Sequence, residues 1–83
     1  MDDLKNQITL KIVYNIKMAL IQKNFGKKKE EKISQSKLAE MSGISRTTIS
    51  RIENGILIPD LITLVRIARA LDVKLSELLE GIE

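Results

Sequence analysis

Arg46, Thr47, Ser50 and Arg51 all carry groups that hydrogen-bond outward. On a helix turning 100° per residue they span roughly 140° of one side. Ile49 and Ile52, three apart, share the other side with Ile44. The polar side offers hydrogen bonding and positive charge. An arginine fork can donate two bonds to a guanine edge, and a threonine methyl can meet a thymine methyl. The plain alternative is that Arg46 and Arg51 only solubilise an exposed helix face.

A chemistry of this kind needs a support that presents the helix outward. Ser34 is a good cap for a first helix, with Leu38, Ala39 and Met41 along one of its sides. Gly43 can take positive φ at low cost, which ends that helix and turns the chain. Ser45 caps the second helix, and Asn54-Gly55 stops it. The unit at about 35–54 is thus two short helices joined by a glycine turn, a shape and chemistry suited to the DNA major groove. Free backbone N–H groups and the helix dipole at Ser34 and Gln35 would attract a phosphate.

On these residues the chain resembles the Xre/Cro/CI type of helix-turn-helix DNA-binding proteins, often called lambda-repressor-like. The matching positions are Gln35, Leu38, Ala39, Gly43, Ile44, Ser45, Ile49, Ile52, Glu53, Asn54, Gly55 and Pro59, followed by Leu64, Ile67, Ala68, Leu71 and residues 75–79. They cover about residues 33–80. The resemblance implies an all-α, compact five-helix lambda-repressor-like DNA-binding domain, here with an elongated first helix. It implies that Arg46, Thr47, Ser50 and Arg51 contact bases, with Arg51 the first candidate; Arg46, in the first turn, could equally take a phosphate. It places Ser34, Gln35, Thr48 and Asn54 at the DNA backbone, Asn54 being otherwise a simple helix end. Gln35 would also brace the next helix. Many members pair the residue at Glu53 with an arginine on the first helix. Leu20 stands there in this chain, so Arg66 or Arg69 is the expected replacement.

Residues 4–24 contain no proline or glycine and read as one long helix behind an acidic start at Asp2 and Asp3. Ile8, Ile12, Ile16, Ala19 and Leu20 form its core face. Leu10, Tyr14, Met18, Ile21 and Phe25 form a second apolar sector, either covered by Leu78, Leu79 and Ile82 or left as an interface. Gly26 ends the helix. The connector 26–32 is longer than in the resembled family, and it is either a solvated mobile loop or a means for Lys27, Lys28 and Lys29 to reach a phosphate. Pro59 blocks helix at Ile58, and Asp60 caps a fourth helix to about Leu71, with Leu61, Leu64, Val65, Ala68 and Leu71 inward. A short fifth helix follows, capped near Leu75 or Ser76.

With 83 residues the chain makes one small domain, 1–83, with no internal repeat. Its only aromatic residues are Tyr14 and Phe25, so the core must be aliphatic and a base-stacking platform is disfavoured. The lack of Cys and His removes thiol nucleophiles, Cys/His zinc sites and imidazole acid–base chemistry, which argues against an enzyme, a metal or a cofactor. No apolar run approaches a membrane span and no signal peptide is visible, so a cytoplasmic location is expected. The frequent Lys, Ile and Asn hint at a bacterial, phage or mobile-element source.

Basic and acidic groups number four and two in 1–25, seven and three in 26–52, and three and six in 53–83. The middle third is therefore the one to meet phosphates. Double-stranded DNA is the expected partner. A single short helix in one half-site buries little, so a homodimer repressor is expected. The alternative is an antitoxin or other partner-controlled regulator that binds a second protein as well.

Overall fold

A computed structural model describes residues 3–82. The expected five helices are α1 (Asp3–Asn24), α2 (Gln35–Ser42), α3 (Arg46–Glu53), α4 (Leu61–Leu71) and α5 (Leu75–Leu78). One further turn of 3-10 helix, Lys29–Glu31, lies in the connector. So the connector is not structureless: the Lys28 backbone N–H donates to Glu31 Oε1 at 3.1 Å.

All five helices deliver a side chain to one core. Ile16, Leu38, Ile49, Ile52, Ile67, Leu71 and Leu78 are essentially inaccessible, and every one is aliphatic. Ile12 and Ala19 are buried with Ile16 on the anticipated face of α1, where Ile8 and Leu20 are partly covered. Thr9 is also buried, its hydroxyl donating to Lys5 O at 2.7 Å so that this hydroxyl is not left unpaired.

The caps form as the sequence suggests. Ser34 Oγ accepts from the Lys37 N–H, Ser45 Oγ from the Thr48 N–H and Asp60 Oδ1 from the Thr63 N–H. The Thr63 backbone N–H, with the Thr63 hydroxyl adding to it, holds the Asp60 carboxyl below its ordinary range. Gly43 takes φ 72°, in the left-handed region a helix-ending glycine favours.

Several expectations need correction. Met41 is exposed, and Ser42 takes the inward place beside Leu38 and Ala39; its hydroxyl donates to Leu38 O at 2.6 Å, which makes its burial cheap. On α4 the buried stripe is Leu64, Ile67, Ala68 and Leu71, with Val65 half-buried and Leu61 exposed in the first turn. The cap position of α5 is Lys74 and makes no side-chain cap bond; burial of Leu78 holds this four-residue helix instead. The second sector of α1 stays largely uncovered: Leu10, Tyr14, Ile21 and Phe25 are exposed, because Leu78 and Leu79 turn into the main core.

Two asparagines of α1 tie the chain across long separations. The Asn15 side-chain amide donates to the carbonyls of Leu78 and Glu80, both at 2.9 Å. The Asn24 side chain accepts from the Ile33 N–H at 2.7 Å and donates to Ile33 O at 3.3 Å. That clasp closes the connector and sets where α2 begins.

Candidate nucleic-acid interface

α3 buries Ile49 and Ile52, and this fixes the direction of everything else on the helix. Arg46, Thr47 and Arg51 are exposed and Ser50 is half-buried. Together with Gln35, Asn54 and Ile56 they line one shallow depression of about 380 Å³. Six of the sequence-selected residues, from the two ends of the helix-turn-helix unit, thus meet at one surface.

Gln35 reaches that surface from the first turn of α2. Its side-chain amide donates to Glu53 Oε1 at 3.0 Å, across from the end of α3. This is the partner of Glu53, in place of the expected Arg66 or Arg69. The bond sets the Gln35 side chain while leaving its own carbonyl oxygen and second N–H for a ligand. The other carboxylate oxygen, Glu53 Oε2, is buried without a hydrogen-bond partner. Neither α2 nor α3 has an acidic residue in its own first turn, although the Glu53 carboxylate stands beside the start of α2 through its bond to Gln35.

The remaining candidates divide. Ser34 is exposed beside Gln35, its Oγ already engaged as the α2 cap. Thr48 is half-buried on the flank of α3, where its hydroxyl oxygen accepts from Ser45 Oγ at 2.9 Å. The Asn54 side chain donates to Ser50 Oγ at 3.4 Å, linking two residues of the depression. Lys27, Lys28 and Lys29 are exposed but stand outside it, on the connector.

The sequence profile described as Helix-turn-helix matches residues 27–78, well over half of the chain. The chain belongs to the helix-turn-helix family, of Xre/Cro/CI type. This is a family of DNA-binding regulators, and the five-helix arrangement of the domain agrees with it. The chain is similar to a protein of Bacillus phage phi105, the ImmF control region 10 kDa protein, with 42% identity over 52 residues. That match covers 63% of this chain and 58% of the phage protein's length.

Ile56 is the member of this helix-turn-helix surface that sequence reasoning missed. It is 74% exposed yet lies against the depression. The available signal was an apolar residue in a loop directly after the Asn54-Gly55 stop. The Gln35–Glu53 bond spans 18 residues, and no local pattern announces it.

Proposed function

We propose that this helix-turn-helix protein is a sequence-specific regulator of transcription that binds double-stranded DNA as a homodimer and represses by occluding a promoter. The observation that carries the reading is the depression along α3, where two arginines, a threonine and a serine face outward between Gln35 and Asn54. In this reading α3 enters the major groove. Arg46, Thr47, Ser50 and Arg51 contact base edges, and Arg51 supplies a guanine contact. Ser34, Gln35, Thr48 and Asn54 contact the backbone on either side, and Lys27, Lys28 and Lys29 add phosphate attraction from the connector. The Glu53 bond presents Gln35 to its phosphate in a fixed direction.

Residues 1–83 act as one domain in this account, and the protein works in the cytoplasm of a bacterial host. The name of the phage relative, a control region protein, supports a regulatory role. Two copies about one DNA turn, ~34 Å, apart would read the two halves of an inverted repeat. The test is selection of bound duplexes from a random library at near-physiological salt, where bulk phosphate attraction does not mask base readout. An enriched inverted repeat is the expected result. Binding without enrichment that vanishes as salt rises would overturn sequence specificity.

A second reading, an antitoxin or other partner-controlled regulator, draws on the uncovered apolar sector of α1. Isolation of a stable complex with a different protein would favour it.

A further inference from the structure

Leu10, Tyr14, Met18 and Ile21 follow each other every three or four residues along α1, which confines them to an arc of about 80°, and Phe25 stands in the turn directly after Asn24. The core face of α1 lies on the opposite side. Phe25, at one end of the stripe, is 87% exposed and is the barest large apolar side chain of the described residues. At the other end the stripe opens into a cavity of about 730 Å³ lined by Leu4, Ile8, Leu10, Tyr14, Gly81 and Ile82 together with the polar Gln7 and Lys11. The last residues of the chain form one wall, held against α1 by the two Asn15 bonds. A largely apolar socket near the start of α1 and an apolar projection just past its last residue thus lie at opposite ends of one helix, roughly 22 Å apart along its axis.

We propose that α1 pairs antiparallel with α1 of a second copy, each Phe25 seated in the other copy's cavity. A two-fold interface pairs residue i with j and j with i. A helix with a projection at one end and a socket at the other meets that condition when it runs antiparallel to itself. Both sockets are then filled and no third copy can add. Aromatic side chains of ~150–250 Å², exposed as Tyr14 and Phe25 are, with the smaller Leu10 and Ile21 exposed beside them, present roughly 400–500 Å² per copy. Two copies, with Leu4 and the stems of Lys11 and Lys17 at the rim, reach the ~1,000–1,200 Å² at which specific interfaces begin. Lys17 is exposed, whereas the Lys11 ammonium lies 6.0 Å from the centre of the Tyr14 ring, within the socket lining. This surface deepens the two-copy reading above, on which it rests, and shares no residue with the depression along α3.

Sedimentation velocity over a concentration series, with and without operator DNA, tests the pairing. The wild-type protein is expected to dimerise reversibly, and Phe25→Asp to weaken the dimer about thirtyfold or more, as loss of a central apolar anchor does. Ile62→Asp, on another exposed apolar patch, leaves the dimer intact. Both side chains are exposed, so both variants keep the wild-type circular dichroism. The chain has no cysteine, so a Leu10→Cys, Phe25→Cys double variant reports the pairing directly: oxidation gives a closed covalent dimer. Should Phe25→Asp disturb folding, this cross-link decides. A dimer that survives Phe25→Asp but not Ile62→Asp overturns this surface and leaves the two-copy reading standing. Monomer under every condition overturns both. A ladder of higher oligomers on oxidation overturns the antiparallel pairing.

Discussion

The outer faces of α3 and α1 make an instructive pair. Each helix turns two isoleucines into the same core, Ile49 and Ile52 in one case, Ile12 and Ile16 in the other. Outside, α3 shows Arg, Thr, Ser and Arg, and α1 with the turn that follows it shows Leu, Tyr, Ile and Phe. The α3 face rests comfortably in water, since each group finds hydration until a ligand replaces it. The α1 face keeps a continuous apolar strip exposed, and strips of that kind mark contact surfaces. One small core therefore supports a face built to exchange water for polar ligands and another built to exclude it.

Removing the shared support should damage both faces at once. Ile49→Ala, at a site 1% exposed, is expected to lower the unfolding free energy by about 2–5 kcal/mol, read from urea denaturation, and to impair DNA binding and dimerisation together. A loss confined to one face would show that the faces do not depend on one core.

A change on the α3 face alone should separate them. Arg51→Ala is expected to cost about 1–3 kcal/mol of operator affinity and to relax preference at one or two base pairs. Titration at fixed salt measures it, and sedimentation should show the dimer unchanged. Undiminished affinity would mean that α3 is docked in some other way.

The turn that aims α3 is the next most sensitive point. Gly43 holds φ 72°, and a Cβ there would lie 3.1 Å from Arg66 Nη1. The arginine end can move aside, so backbone strain dominates. Gly43→Ala is expected to cost about 1–2 kcal/mol of stability, with operator binding weakened more than dimerisation. Thermal melts and the same two binding assays would record the difference.

The smallest effect concerns pH. The Asp60 carboxyl titrates below its ordinary value of 3.8 in the folded chain. The charged cap therefore stabilises above that value, and its contribution is lost as pH falls through the lower folded pKa. Asparagine caps about as well without the charge. The melting temperature of the wild type should exceed that of Asp60→Asn near neutral pH, and the gap should close below about pH 4. Neither face should respond.

Much of the fold is legible locally, because its signals are local. Ser34, Ser45 and Asp60 each satisfy an N–H three residues ahead, and the spacing of Ile49 and Ile52 points the polar side of α3 outward. The errors lie where a neighbour decides. Met41 and Leu61 have the right residue type for a core, but each helix buries only the side that another helix covers, and Ser42 and Ile67 occupy those places.

What the sequence determined by itself is the amphipathic plan: five helices, the caps of α2, α3 and α4, the glycine turn and a polar outward side on α3. These follow from bonds and periodicities that close within a few residues. The tertiary structure decided which long-range partners meet. It brought Gln35 to Glu53, Asn15 to the end of α5 and Asn24 to the start of α2. It also left the stripe from Leu10 to Phe25 outside the core. An apolar side chain's type states only that it prefers to leave water, and the packing of the other four helices settles whether this chain alone can provide the place.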